Sequence, residues 1–207
     1  MHFSRRRIEE LVMSDADAEA DALVRAAKND RESFGRLYDR YYPLLHRFCQ
    51  RRLSGRDGVD DVVAETFLSI ARSIAEFSGT TDADFRCWAY RIAANAANHH
   101  ARKSIRRQAL VGVAGEAVDQ ASSAIDQSVE LADEFRVVED ALERLDERSR
   151  TVVTLKYMEG MEHEQIARVV ELKPTAVRMV LSRALDRLRD MLRRERERVA
   201  GRREGGR

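Results

Sequence analysis

Glu164-Gln165-Ile166-Ala167-Arg168-Val169-Val170, then Glu171-Leu172-Lys173, then Pro174-Thr175-Ala176-Val177-Arg178-Met179-Val180-Leu181-Ser182-Arg183-Ala184, has the pattern of two helices joined by a tight turn. Pro174 falls at the first position of the second helix, where its missing amide hydrogen costs nothing. Val177, Val180, Leu181, Ala184, Leu185, Leu188 and Leu192 then follow the helical apolar period and predict the buried face. Thr175, Arg178, Met179, Ser182, Arg183 and Asp186 are left outward. This is a helix-turn-helix pattern whose second helix suits a major groove, about 12 Å wide, with arginine able to pair both acceptors of a guanine edge and the helix N-terminus favouring phosphate. The candidate DNA contacts here are Lys173, Thr175, Arg178, Met179, Ser182 and Arg183.

Upstream, Phe135, Val138, Leu142 and Leu145 form one apolar helix face, and Val152, Val153 and Leu155 another, both expected to face the core of the same small domain (131–195). Downstream, the arginine-rich end pairs its charges with Asp190, Glu195 and Glu197 at helical spacing and runs into a basic tail expected to be disordered (196–207). Before this domain lies a segment rich in Ala, Gly, Ser, Asp and Gln without a sustained apolar period. It predicts a flexible acidic linker over 110–130. A first domain over 21–109 precedes it, with residues 1–20 as an N-terminal extension. There, Leu23, Phe34, Leu37, Tyr38, Tyr41, Leu44, Leu45 and Phe48 recur at helical spacing, with Pro43 predicting a kink or break. Val62, Val63, Phe67, Ile70, Ala71 and Ile74 form a second amphipathic helix. A third, from about 84 to 107, sets Phe85, Trp88, Ala89, Ile92, Ala93 and Ala96 on one stripe, with Arg86, Arg91, Asn95, Asn98 and Arg102 largely off it.

The fold class follows: all-α, two small helical domains on a flexible linker. With two prolines, ten glycines and few aromatics among 207 residues, strands and hairpins have little to build on. Charged residues make up 35%, above the ~25% of an average domain, yet the net charge is only +1. The distribution matters more than the sum. From Phe85 to Gly115 there is no acidic residue, from Val111 to Phe135 no basic one, and basic residues dominate again after Lys173. No apolar run approaches the ~18 to 20 residues of a membrane span. The opening residues, Met1 to Glu10, are charged and polar, and Cys49 and Cys87 are the only cysteines, so a cytoplasmic protein with reduced thiols is expected.

Two motifs in order resemble the extracytoplasmic-function (ECF) sigma factors of RNA polymerase. Phe34, Leu37, Tyr38, Arg40 to Pro43, then Asp60-Asp61-Val62-Val63-Ala64-Glu65-Thr66-Phe67, then Phe85-Arg86-Cys87-Trp88-Ala89-Tyr90-Arg91-Ile92-Ala93-Ala94-Asn95 resemble sigma region 2, a helical bundle. Ala141 to Leu145, Arg150, Val152, Val153, Tyr157, Gly160 and the helix-turn-helix resemble sigma region 4. The resemblance implies promoter-specific transcription initiation: Asp61, Glu65, Thr66 and Phe67 docking on core polymerase, Arg86, Trp88, Arg91, Asn95, Asn98, Arg102 and Lys103 engaging the minus-ten element, and the helix-turn-helix residues reading the minus-thirty-five element. The Ser78 to Asp84 loop helps capture a flipped base in that family. Holding an unstacked base needs aromatic or amide surfaces together with cations for the phosphates, and the minus-ten segment offers both. Implied partners are core RNA polymerase, promoter DNA and an anti-sigma factor, with no small-molecule substrate, no membrane insertion and no cofactor. The chain departs from the family's habit at Ala64 and Ala71, and in the helix-turn-helix at Glu171 in place of the turn glycine, at Lys173 in place of a capping serine, and at Met179 and Val180.

An enzyme reading of Asp60, Asp61 and Glu65 as paired carboxylates requires a pocket and partners from elsewhere in the chain, which the sequence does not offer. His46, Cys49, Cys87, His99 and His100 assemble a zinc site only on paper, so no metal is expected. The competing functions are a helix-turn-helix regulator acting without polymerase, which leaves the first domain unexplained, and a sigma mimic that binds polymerase without initiating.

Overall fold

A computed structural model of the protein describes residues 5–53, 58–111 and 137–204. They fall into two compact units, Met1–Ala97 and Asn98–Arg207, and every regular element among the described residues is helical.

In the first unit, α1 (Arg5–Ala26) and α2 (Arg31–Arg52) are separate helices. The apolar spacing from Leu23 to Phe34 passes through the break in phase, which is why the sequence reads as one helix. The break is made by Asp30, whose carboxylate accepts from the Ser33 amide at 2.7 Å and caps α2. Pro43 sits inside α2 without breaking it. Residues 5–20, expected to be an extension, belong to α1, and Ala20 and Val24 are already buried. α3 (Val59–Ser73) buries Val62, Val63, Thr66, Phe67 and Ile70, and a short 3-10 turn (Ile74–Glu76) adds Ile74.

α4 (Asp82–Val111) starts at a Thr81 cap: the Asp84 amide donates to Thr81 Oγ1 at 3.1 Å and the Phe85 amide to the Thr81 carbonyl at 3.0 Å. Its buried side is wider than the expected stripe and includes Cys87, Tyr90, Ala94 and Ala97. Edge-to-face rings lock α4 to α2, Tyr41 on Phe85 at 4.8 Å and Phe48 on Tyr90 at 5.2 Å between centroids. Tyr41 Oη also donates to the Asp82 carboxylate at 2.9 Å, and burial pushes its phenol up, first by desolvation and then by the charge of Asp82. α4 includes 110 and 111, the first residues of the expected linker, and the rest of that linker lies outside the described residues, as does Phe135, whereas the tail expected to be disordered from 196 is helical through Glu204 and only 205–207 lie outside.

In the second unit, α5 (137–143) ends where the Arg150 guanidinium donates to the carbonyls of Leu142 at 2.9 Å, Glu143, and Leu145 at 3.2 Å, satisfying acceptors a helix end leaves open. Val138, expected in the core, is 40% exposed. α6 (Glu147–Val153) is capped by Asp146 and continues through a π turn (Thr154–Met158). α7 (His163–Val170) and α8 (Pro174–Glu204) complete the unit, whose core is Val152, Leu155, Met161, Ile166, Val169, Val177, Leu181 and Ala184. Among the described residues no helix is long and apolar enough to cross a membrane.

Candidate nucleic-acid interface

The helix-turn-helix is built by local chemistry. At the start of α7 the Glu162 amide donates to the Gln165 side chain at 2.9 Å, half of a reciprocal cap. At its end Glu171 takes the left-handed conformation, φ 54°, and the Leu172 amide closes onto the Ala167 carbonyl at 3.0 Å. The turn thus adopts the geometry a glycine would favour, with a glutamate strained into it. Lys173 then serves α8 through its backbone: its carbonyl accepts from Ala176 and Val177, at 2.9 and 3.1 Å.

Val177, Leu181 and Ala184 face inward from α8. Lys173, Thr175, Arg178, Met179, Ser182 and Arg183 are all exposed, and Met179 is 54% exposed despite its apolar side chain. Thr175, Arg178, Met179 and Ser182 keep the i, i+3, i+4, i+7 spacing of one ridge, with Arg183 one step round. Arg178 reaches Glu164 of α7 at 3.9 Å, with both side chains mostly in solvent. Such a pair contributes little and gives way to a better acceptor.

On α4, Trp88, Arg91 and Asn95 form a second ridge, and the same spacing continues at Asn98 and Arg102, with Lys103 exposed beside it. Arg86 lies on the other side, roughly 160° round the helix from Arg102. Its guanidinium sits 5.8 Å from the centroid of the buried Tyr90 ring. Trp88 is half-buried. One face stacks on Phe77 at 4.6 Å with 21° between planes, and Phe85 meets it edge-on. Phe77 is the functional candidate that the sequence reading passed over. It belongs to the irregular segment before α4, where only an aromatic followed at once by Ser78 and Gly79 marked it.

The outer face of α3 carries Asp61, Glu65 and Leu68, all exposed, with Leu68 at 55%. Thr66 and Phe67 point the other way. Thr66 is fully buried and its hydroxyl donates to the Val62 carbonyl at 2.7 Å, while Phe67 packs on Tyr38 and Tyr42, at 4.4 and 6.1 Å. The helical register requires this, since residue 66 lies about 100° from 65 and 200° from 68. Beside this face His46 pairs with Asp60 at 3.2 Å.

Among the described residues no three His, Cys, Asp or Glu side chains converge on a common point. Cys49 and Cys87 are buried and form no disulfide, and burial pushes the Cys49 thiol up to about 12, against some relief from Arg52, so it stays a neutral thiol at physiological pH.

The family model for Sigma-70 region 2 matches residues 37–107, and that for Sigma-70, region 4 matches residues 135–188. The ECF RNA polymerase sigma-E factor of Haemophilus influenzae is 30% identical over 180 residues, covering 83% of this chain and 94% of that protein. The ECF RNA polymerase sigma factor BldN of Streptomyces coelicolor is 29% identical over 180 residues, covering 86% of this chain and 67% of that protein. Among solved structures, the sigma factor RpoE in complex with the anti-sigma factor NepR from Bartonella quintana superposes with a TM-score of 0.61 at 21% identity, over 78% of this chain and 98% of that one.

Proposed function

The chain belongs to the ECF sigma factors, which direct RNA polymerase to promoters, and from that premise we propose how its residues divide the work. The exposed ridge of α8 reads the minus-thirty-five element: Arg178 and Arg183 as hydrogen-bond forks, Thr175 and Ser182 as adaptable partners, Met179 as an apolar surface for a thymine methyl, and Lys173 on phosphate. The α4 ridge engages the minus-ten element, with Trp88 and Asn95 offering surfaces to an unstacked base and Arg91, Arg102 and Lys103 offering charge to the backbone. Arg86, turned toward Tyr90, supports the helix from behind. Core polymerase docks on Asp61, Glu65 and Leu68, while Thr66 and Phe67 hold α3 in shape beneath that face.

The observation that carries this reading is the coexistence, in one chain, of an outward recognition helix and an aromatic-basic ridge on α4. An operator-binding regulator has use for the first alone. In this division the protein contributes binding and strand separation, and the bond-making chemistry belongs to the polymerase. It works in the cytoplasm, and the two units bind DNA tightly only when polymerase joins them, because shared attachment raises their effective concentration. An anti-sigma factor covering these faces is the proposed regulator, by analogy with the RpoE–NepR complex.

The experiment is a gel shift of promoter DNA with the protein, with core polymerase, and with both. The reading expects a salt-sensitive complex that needs both components. Tight dimeric binding by the protein alone would establish the polymerase-independent regulator instead.

A further inference from the structure

Between the 3-10 turn and α4, residues 77–81 have no regular structure, yet Arg25 of α1 and Lys28 of the turn after it grip them, and Asp21 of α1 grips the start of α4, from 49 or more positions away. The Lys28 ammonium donates to the carbonyls of Phe77 and Gly79, both at 2.7 Å. Arg25 donates to the Thr80 carbonyl at 3.2 Å, and the Asp21 carboxylate accepts from the Asp82 amide at 2.6 Å. Asp21 and Arg25 stand at i and i+4 on one face of α1, and Lys28 follows in the turn that closes the helix. From the other end, the Asp84 carboxylate accepts from the Thr80 amide at 3.4 Å.

The Lys28 bonds, like the Asp21 bond, are charge-assisted and part-buried, which makes these the strong ones of the set, and Lys28 alone holds two carbonyls of the loop. The same ammonium lies 5.2 Å from the Phe77 ring centroid. Gly79 presses so closely on that ring that a Cβ there would stand 2.3 Å from Phe77 Cζ and 2.7 Å from Asp84 Cβ. Phe77 in turn stacks on Trp88. A continuous path therefore runs from Lys28 through the loop backbone and Phe77 to the aromatic end of the α4 ridge.

We propose that Lys28, backed by Asp21 and Arg25, is a positioning residue for promoter opening, holding the 77–81 loop against Phe77 so that the loop and Trp88 form a fixed receptor for one unstacked promoter base. The proposal rests on the reading of the α4 ridge as the minus-ten face. Lys28 does not touch the base. It removes the loop's freedom before the base arrives, so the ordering entropy is not subtracted from binding. Its substitution therefore affects discrimination at the captured position, not attachment to polymerase.

The test uses the holoenzyme reconstituted with the full chain, on a promoter recovered by runoff transcription and pre-melted over its minus-ten element, with each base of that element replaced in turn. Wild type identifies the captured position as the one where replacement costs most. Lys28→Met is expected to reduce that preference about tenfold, the worth of one charge-assisted hydrogen bond, and Lys28→Arg to restore most of it. Core affinity and melting temperature report whether the variant is folded. If Lys28→Met is too unstable to bind core, Lys28→Gln, whose amide falls short of one carbonyl, carries the test with an expected loss of about threefold. Unchanged preference, or an equal loss on every template as a phosphate contact would give, overturns the proposal. Absence of any transcript with wild type would instead overturn the sigma reading beneath it.

Discussion

Leu68 and Thr66 sit on one helix two residues apart, and their substitutions should have opposite consequences. Fully burying a leucine is worth about 1.5–3 kcal/mol. With 55% of Leu68 still exposed, about 0.8–1.7 kcal/mol remains for a partner to gain. Leu68→Ala removes most of this without harming the helix, since alanine has the better helix propensity. Core polymerase affinity should fall by up to roughly 4- to 18-fold, with the melting temperature nearly unchanged. Thr66→Val leaves the outer face intact and deletes a buried hydroxyl whose bond to Val62 stays within α3. It should cost up to about 1 kcal/mol of stability and leave core affinity as it was. Fluorescence anisotropy of labelled protein titrated with core polymerase, beside a thermal melt, measures both quantities. The orientation argued for α3 is refuted if a folded Thr66→Val protein loses as much affinity as Leu68→Ala, or if Leu68→Ala loses none.

Relief of the left-handed strain at the helix-turn-helix predicts that Glu171→Gly stabilises the second unit by about 1 kcal/mol, read as a rise of several degrees in its calorimetric transition. Asp146 caps α6 by accepting from the Ser149 amide at 3.0 Å. Partial burial tends to raise its pKa, but the Ser149 bonds and the Arg187 charge outweigh this and hold it below its ordinary 3.8. The cap therefore stabilises above that pH and is lost as pH falls through the folded value. Asp146→Ala should cost about 1 kcal/mol at neutral pH, and the gap from wild type should close in melts taken progressively below pH 3.8. Arg91→Ala should weaken promoter complexes of every sequence alike and lower the salt slope by about one, whereas Arg178→Ala should relax sequence preference within the minus-thirty-five element. Competition binding over a salt series separates the two.

The helix-turn-helix was readable because its signals agree: an apolar period, a proline at a first helical turn, and a polar outer ridge that the structure leaves exposed. Other features were hidden for identifiable reasons. The gap between α1 and α2 preserves the apolar phase, so only the Asp30 cap betrays it. Val138 has the right spacing for a core face, yet the bundle leaves it exposed, because spacing gives direction without saying what lies opposite. The resemblance named Thr66 and Phe67 by their place in a motif, whereas helical register turns both inward and brings out Leu68. Arg86 sits among the basic residues of α4 in sequence but over Tyr90 in space. The Lys28 grip on the 77–81 loop joins residues with no shared period, and only folding brings them together.

Runoff transcription by core RNA polymerase on a pooled genomic promoter library, with and without this protein, tests the central claim most directly. Discrete new transcripts that require the protein, and that share elements near minus ten and minus thirty-five, are the predicted result. Stable core binding without any transcript would contradict it and establish a sigma mimic, and no core binding at all would contradict the assignment of α3 as well.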